Sequence, residues 1–287
     1  MSYSVLINRN PVDCINTIIS AAGLVSGITS LSCLLAPSAL AQPFAKEALD
    51  KSPRHLEWVD VKSKTHKVKC FVAYPEVKTK ASAVIVIHEI FGLTDWVRSV
   101  ADQLAQRGYI AICPDLLSGS GPGGGGTAEI GGEDKVRRVI QGLDPEIIKA
   151  DLDATAAYVT ALPACNKKLT VGGFCWGGTQ TFKYATNNKN LKASFVFYGS
   201  GPESKADITR IAAPVYGFYA ENDSRIGATL PATEKLMKEA KKVFQPVTYA
   251  GAGHGFMRSG QAPTSDESNK KAREQAWDRW GKLLKAI

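Results

Sequence analysis

Residues 172–178 read Gly172-Gly173-Phe174-Cys175-Trp176-Gly177-Gly178 and join an apolar run to a stretch with helical spacing. A nucleophile at such a strand-to-helix junction sits in a tight turn, usually with positive φ, above the sheet. Because Gly173 and Gly177 leave room for that turn, Cys175 is a candidate nucleophile, and the dipole of the following helix favours its thiolate. Taken alone, the same glycines also fit an ordinary turn that carries a packed cysteine.

An acid and then a histidine follow Cys175, in the chain order that such a nucleophile requires. The apolar run 215–220 leads to Asp223, and the run 246–249 leads to a small-residue loop that carries His254. Each residue alone also fits a common structural role, as a turn aspartate and as a surface histidine. Their order predicts that His254 takes the thiol proton and that Asp223 fixes the imidazole tautomer.

The apolar run 83–88 leads into the segment His88-Glu89-Ile90-Phe91-Gly92. The turn after this strand and the residue after the nucleophile each supply one backbone N–H to an oxyanion hole. We therefore expect the amides of Ile90 and Trp176 to be the two donors. Glu89 fits a turn residue, yet a carboxylate beside that hole would lie close to the thiol.

Strand and helix patterns alternate along the chain from residue 56 to its end, which predicts one doubly wound α/β domain with a mostly parallel sheet flanked by helices. The stretch 119–132 has eight glycines among fourteen residues, so we expect a loop there. The strand patterns cover 56–61 and 68–74, read as a hairpin, and then 83–88, 109–113, 169–174, 193–198, 215–220 and 246–249. The helical patterns cover 94–107, 145–162, 177–187, 229–243 and 265–285.

Residues 1–41 are typical of an export signal. Arg9 is the only cationic residue before Lys46, the stretch 15–40 carries no charge, and small residues Ala39 and Ala41 flank Leu40. Cleavage after Ala41 predicts a periplasmic or secreted domain of residues 42–287 with no stable membrane insertion. The alternative is an uncleaved membrane anchor, because the uncharged stretch is long enough to span a bilayer.

The composition is that of a soluble globular protein, with 44% hydrophobic and 22% charged residues. It excludes a disordered chain, a collagen and a polytopic membrane protein. The net charge of +8 is unchanged by removal of residues 1–41, since Arg9 and Asp13 cancel. Lys and Arg form no long basic run, so no nucleic-acid partner is expected. We interpret the charge as a source of solubility with some steering of an anionic substrate.

Four of the six cysteines lie beyond residue 41. They form no CxxC or CxxH pair, so neither a metal site nor a cofactor is predicted. Cys70, Cys113 and Cys165 lie in or beside apolar strand-like runs, where cysteine acts as a small hydrophobe. The sequence leaves open whether those three form disulfides, and it leaves the oligomeric state open.

Over nearly all of residues 42–287 the sequence resembles the dienelactone hydrolases (carboxymethylenebutenolidases), a family of α/β-hydrolases. The resemblance implies the α/β-hydrolase fold and a catalytic triad of Cys175, His254 and Asp223. It rests on His88-Glu89-Ile90-Phe91-Gly92, Cys113-Pro114-Asp115-Leu116, Gly173-Phe174-Cys175-Trp176-Gly177-Gly178, Asn222-Asp223 and Gly253-His254-Gly255-Phe256-Met257-Arg258.

The resemblance also implies roles for Glu89 and Arg258. Glu89 is expected to contact the resting thiol and to be displaced when an anionic substrate binds, which releases the thiolate from like-charge repulsion. Arg258 matches an arginine that holds the substrate carboxylate. The family's second arginine has no evident match here; Arg137 and Arg138 are candidates, although both also fit a solvated helix face.

These observations predict a hydrolase whose Cys175 forms a thioester intermediate with a small anionic ester or lactone. A carboxylesterase or thioesterase of broader scope is an alternative. A non-catalytic ligand-binding protein on the same fold is an alternative of another class, because a fold alone does not prove a function. The complete triad and the oxyanion hole argue against the binding protein.

Overall fold

A computed structural model describes residues 42–287, and these residues build one eight-stranded sheet with helices on both faces. The expected export signal and its cleavage site lie outside the described residues. The strands are β1 Leu56–Lys62, β2 Lys67–Ala73, β3 Ala81–Ile87, β4 Ile110–Pro114, β5 Cys165–Phe174, β6 Ala193–Phe197, β7 Val215–Asn222 and β8 Phe244–Gly253.

The strands follow the order β1-β2-β4-β3-β5-β6-β7-β8 across the sheet. β1 pairs antiparallel with β2, and β2 pairs antiparallel with β4. Every further pair, from β4–β3 to β7–β8, is parallel. The structure therefore confirms the predicted hairpin and the mostly parallel α/β sheet.

Eleven helices are present between residues 42 and 287, several of them only one turn long. None of these helices is both long and apolar enough to cross a membrane. The helices are α1 Pro43–Asp50, α2 Asp95–Gln106, α3 Thr127–Ile130, α4 Glu133–Gln141, α5 Pro145–Ala161, α6 Trp176–Asn187, α7 Lys205–Thr209, α8 Ser224–Gly227, α9 Leu230–Glu239, α10 Phe256–Ser259 and α11 Glu267–Lys285.

The sheet is buried on both faces because alternate residues of its central strands pack in opposite directions. In β3, Val84 and Val86 pack toward α1, α2 and α11, whereas Ala83, Ile85 and Ile87 pack toward α5. All five are fully buried. This burial explains why the sequence of β3 is an unbroken apolar run rather than an alternating pattern.

The turn between β5 and α6 requires glycine on both sides of Cys175. A Cβ atom on Gly177 would lie 2.2 Å from the backbone oxygen of His88, and one on Gly173 would lie 2.4 Å from that of Gly177. Cys175 itself has a φ of 56°, as expected for a residue at the apex of such a turn. The two glycines thus permit close backbone contact between β5, α6 and the end of β3.

Several segments differ from the sequence-based expectations, since α1, α3, α4, α7, α8 and α10 lie outside the expected helical patterns. The polar segment that begins at residue 42 forms α1, because Ala45 and Leu49 bury an apolar stripe of that helix against α2. The stretch 119–132 is not loop throughout: it contains a 3-10 turn at Pro122–Gly124 and the single-turn helix α3. The Asp115 carboxylate accepts hydrogen bonds from the backbone N–H and hydroxyl of Thr127 and thereby holds α3 in place.

The four cysteines between residues 42 and 287 are free thiols. Cys70, Cys113 and Cys165 are buried, while Cys175 is half-buried. Burial raises the pKa of Cys70 to about 12. Cys113 shows the same effect, since burial raises its thiol pKa well above the ordinary value. These two thiols are therefore poor nucleophiles, and both are more completely buried than Cys175.

Candidate active site

The predicted site residues meet at the carboxyl edge of the sheet. Cys175 follows β5, Asp223 follows β7 and His254 follows β8, while Glu89 lies just beyond β3. Because these strands are parallel, their carboxyl ends lie on the same edge. The fold therefore gathers four residues that are up to 165 positions apart in sequence, counting from residue 89 to residue 254.

A cavity of about 630 Å³ opens at this edge. Asp223 is not part of its wall and lies behind the imidazole of His254. The other predicted site residues all line the cavity: Glu89, Ile90, Cys175, Trp176, His254 and Arg258. The structure thus brings every predicted site residue into or directly behind one cavity.

His254 and Asp223 form a close pair. The distance from His254 Nδ1 to Asp223 Oδ2 is 2.5 Å, and Asp223 is only 7% exposed. The other carboxylate oxygen of Asp223 accepts a hydrogen bond from the backbone N–H of Ile226 at the start of α8. This carboxylate is therefore held at both oxygens and fixes the orientation of the imidazole, with Nδ1 toward Asp223.

Cys175 lies where backbone amides act on its sulfur. Burial and the nearby Glu89 carboxylate disfavour the thiolate, whereas the backbone N–H groups of Trp176 and Ile90 favour it. The net effect of burial, Glu89 and these amides is to raise the pKa of the Cys175 thiol above its ordinary value. The Cys175 thiol is therefore protonated at neutral pH, and it lies at the two amides expected to form the oxyanion hole.

His88 holds the loop that carries Ile90. Its Nδ1 lies 2.8 Å from the backbone oxygen of Glu89, and its Nε2 accepts a hydrogen bond from the backbone N–H of Leu116. Burial lowers the pKa of His88, so the ring is neutral and donates from Nδ1. The ring also stacks on Trp176 at 5.4 Å. One buried histidine thus connects the segments that carry Ile90 and Trp176.

Glu89 and Arg258 form an ion pair inside the cavity. Arg258 Nε donates to Glu89 Oε2 over 2.8 Å, and Glu89 is 2% exposed. Burial raises the pKa of Glu89, although the attraction of Arg258 opposes that effect. The guanidinium predicted to bind a substrate carboxylate is therefore already bound to a protein carboxylate in this state.

The structure distinguishes the two candidates for a second arginine, both of which lie on α4. Arg137 lines the cavity, and its guanidinium lies 4.9 Å from the centre of the Phe91 ring. Arg258 lies against the same ring at 5.2 Å. Arg138 is exposed and does not belong to the cavity wall. The guanidinium groups of Arg137 and Arg258 thus both pack against the ring of Phe91.

Among the cavity residues that sequence analysis did not find, three have titratable side chains: Lys183, Tyr198 and Arg225. Lys183 lies on a helix face, and Arg225 follows Asp223 by two positions, so neither forms a motif. Tyr198 ends an apolar strand, where a tyrosine is ordinarily a core residue. Within residues 42–287 no group of three or more histidine, cysteine or acidic side chains is arranged to hold a metal ion.

Comparison with known sequences supports the assignment of a family. Residues 68–287 match the sequence model of the Dienelactone hydrolase family. The chain belongs to the dienelactone hydrolase family. It is therefore a hydrolase of the α/β-hydrolase fold, and its family acts on esters or lactones.

Individual dienelactone hydrolase relatives cover most of the chain. A "putative carboxymethylenebutenolidase" from Saccharolobus solfataricus is 30% identical over 257 residues, which is 77% of this chain and 95% of the relative. A protein of the same name from Yersinia pestis is 28% identical and covers 80% of this chain and 86% of its own. The crystal structure of a "putative dienelactone hydrolase" from Klebsiella pneumoniae is similar, with a TM-score of 0.72 and 25% sequence identity. The match covers 82% of this chain and 99% of the Klebsiella chain.

The Cys175 thiol of this member of the dienelactone hydrolase family should become more reactive when Glu89 is replaced by Gln. Removing the carboxylate removes a like charge and frees Arg258, and both changes lower the pKa of Cys175. More thiolate is then present at pH 7, so alkylation by iodoacetamide should be faster, and its pH profile should shift to lower pH. The measurement is the alkylation rate between pH 6 and 10. Glu221→Gln, an exposed glutamate at the end of β7, is the control, and equal rates in wild-type and Glu89→Gln would contradict the assignment.

Proposed function

We propose that this chain hydrolyses a small anionic ester or lactone through Cys175, His254 and Asp223, with a thioester acyl-enzyme intermediate. One observation carries the proposal. The thiol at the strand-to-helix turn lies at two backbone amides, in the same cavity wall as a histidine that is oriented by a buried aspartate. This arrangement contains a nucleophile, a general base and an oxyanion hole, which together are sufficient for acyl transfer.

Acylation begins with proton transfer from the Cys175 thiol to Nε2 of His254. The thiolate then attacks the carbonyl carbon of the ester, and the carbonyl oxygen becomes an oxyanion that accepts hydrogen bonds from the amides of Ile90 and Trp176. Collapse of this intermediate breaks the bond to the leaving oxygen, which takes the proton from His254. In a lactone, the leaving oxygen stays attached to the acyl group.

Deacylation uses the same groups with water as the nucleophile. His254 removes a proton from water, the hydroxide attacks the thioester carbonyl, and the thiolate leaves and is protonated again by His254. Asp223 stabilises the imidazolium that forms in each half-reaction. The products are a carboxylic acid and an alcohol or enol, which remain joined when the substrate is a lactone.

Glu89 and Arg258 make the nucleophile dependent on an anionic substrate. In the resting state Glu89 raises the pKa of the thiol and is itself bound to Arg258. A substrate carboxylate that takes Arg258 deprives Glu89 of its partner, so that Glu89 leaves its position beside the thiol. The thiolate is then favoured only when a substrate is present.

The charges of the cavity favour an anion. Four of its lining residues are cationic, and Glu89 is the one acidic residue of the cavity wall within the described part of the chain; the cations are Arg137, Lys183, Arg225 and Arg258. Nε of Arg137 is buried and has no hydrogen-bond partner among residues 42–287. Since a buried donor without a partner is costly, a ligand carboxylate beside Phe91 would be favoured.

Trapping of the acyl-enzyme tests this function. The protein is mixed with mono-4-nitrophenyl glutarate, quenched in acid within a second and analysed by intact mass spectrometry. We expect a glutaryl adduct that maps to Cys175 and that neutral hydroxylamine removes, because hydroxylamine cleaves thioesters readily. A panel of neutral aryl esters, thioesters and unsaturated lactones then ranks the substrate classes. Turnover with an adduct on another residue, or with none in a rapid-quench time course, would contradict the thioester mechanism.

A further inference from the structure

Tyr198 lies at the carboxyl edge of the sheet between the nucleophile and the acid. It directly follows β6, and β6 is the strand between β5 and β7. Its φ is 39°, a left-handed conformation that is strained for an aromatic residue. Strained residues of this kind persist where the surrounding structure fixes them, and they cluster at functional sites.

The ring of Tyr198 is fixed by packing. The residue is fully buried, and its ring meets that of His254 nearly edge-on, with a centroid distance of 5.0 Å and an interplanar angle of 62°. Phe256 packs on it in a similar way at 5.4 Å. The backbone N–H of Tyr198 donates to the carbonyl of Phe218 over 2.8 Å. The position of its hydroxyl group therefore does not depend on any hydrogen bond of that group.

The hydroxyl group of Tyr198 is a buried donor with no partner. It makes no hydrogen bond to any of the described residues, although Tyr198 belongs to the wall of the catalytic cavity. Burial and the neighbouring charge of Glu89 raise the pKa of Tyr198 well above its ordinary value, while Arg258 opposes them. The phenol is therefore neutral and retains its proton for donation beside the Glu89–Arg258 pair.

We propose that the Tyr198 hydroxyl donates a hydrogen bond to the substrate anion that replaces Glu89 on Arg258. This inference rests on the proposed function, in which a substrate carboxylate takes that place. In the resting state the hydroxyl is buried, and Glu89 and Arg258 are its charged neighbours. The movement of Glu89 that the proposed function requires would open this part of the cavity to a ligand. The donor is thus used only when an anion occupies Arg258, which accounts for both its burial and its missing partner. Tyr198 would then be a residue that selects anionic substrates.

The test is Tyr198→Phe, which removes the hydroxyl and keeps the ring that packs on His254. Tyr219→Phe is the matched control, because Tyr219 is also fully buried with an unpartnered hydroxyl but lies in a different part of the core. The kcat/KM values are compared for mono-4-nitrophenyl glutarate and for the neutral 4-nitrophenyl pentanoate. In Tyr198→Phe the anionic-to-neutral ratio should fall about ten- to a hundredfold, the usual effect of one hydrogen bond to a charged group. In Tyr219→Phe it should stay unchanged.

Two further measurements separate this role from a structural one. Loss of an unpaired buried hydroxyl should leave the melting temperature of Tyr198→Phe unchanged or higher. A lower melting temperature than that of Tyr219→Phe would show that the hydroxyl already has a partner and would overturn the proposal. An unchanged anionic-to-neutral ratio, including an equal loss on both esters, would overturn it as well.

Binding measurements keep the inference independent of catalysis. If wild-type protein hydrolyses neither ester, the proposed function is wrong, and the dissociation constant of glutarate then decides the role of Tyr198. We expect weaker glutarate binding, by the same ten- to hundredfold, in Tyr198→Phe than in wild-type and Tyr219→Phe. Equal dissociation constants in the three proteins would overturn the assignment of the hydroxyl to an anion.

Discussion

Replacement of Cys175 by Ala should reduce kcat/KM for an activated ester by about a thousandfold or more, since removal of a nucleophile leaves only binding and oxyanion stabilisation. Alanine fits at this position, because it is smaller than cysteine and has the same backbone requirements at a φ of 56°. The two flanking glycines and the amides of Ile90 and Trp176 remain in place. The variant should therefore fold and bind substrate without forming an acyl-enzyme.

Steady-state kinetics with mono-4-nitrophenyl glutarate check this expectation. Cys165→Ala is the control, because Cys165 is a free, buried thiol that does not line the cavity. Its activity should remain close to that of wild-type. If Cys175→Ala kept more than about a tenth of wild-type activity, the loss would be too small for removal of a nucleophile, and another group would have to attack the ester.

Replacement of Asp223 by Asn should reduce kcat by roughly a thousand- to ten-thousandfold, because an amide in this place stabilises the wrong imidazole tautomer. The side-chain NH₂ of Asn would donate to Nδ1 of His254, so that Nε2 carries the hydrogen and cannot accept the thiol proton. KM should change little, since Asp223 lies behind His254 and outside the cavity wall. Asparagine keeps the size and shape of the buried side chain.

The separate kcat and KM values across pH test this role. Glu221→Gln is the control, because Glu221 is an exposed carboxylate at the end of the same strand that accepts a hydrogen bond from the backbone N–H of Gly251. Its kcat should stay within about twofold of wild-type, as is usual for surface substitutions. A comparable fall of kcat in both variants would show that the loop as a whole, rather than the orientation of His254, carries the effect.

The strand-to-helix turn at Cys175 could be predicted because its requirements are local. A tight turn with a residue at positive φ excludes side chains at Gly173 and Gly177, and the structure shows why, with backbone atoms within 2.4 Å of both virtual Cβ positions. Chain order indicated Asp223 and His254, because Asp223 follows a buried apolar run and His254 follows the next strand pattern. Local sequence and strand order together were sufficient to place these residues at one sheet edge.

Other features depend on contacts that are distant in sequence. Glu89 and Arg258 are 169 positions apart in sequence. No sequence motif indicates that these two side chains form an ion pair. The helix α3 forms inside a glycine-rich segment because the Asp115 carboxylate binds Thr127 twelve positions away. Tyr198 lies at the end of an apolar run, which is typical of a core residue. Only the structure shows that its hydroxyl has no hydrogen-bond partner among the described residues. Long-range partners decide these features, and one sequence does not reveal them.

Because Cys175 is protonated in the resting protein, its thiol should resist oxidation between catalytic cycles. Peroxides oxidise thiolates much faster than thiols, and the first product, a sulfenic acid, can proceed to irreversible forms. Because burial and Glu89 raise the pKa of the thiol, the resting protein presents little thiolate to an oxidant. Under the proposed mechanism, the carboxylate that disfavours the thiolate until a substrate binds therefore also protects the thiol from oxidation.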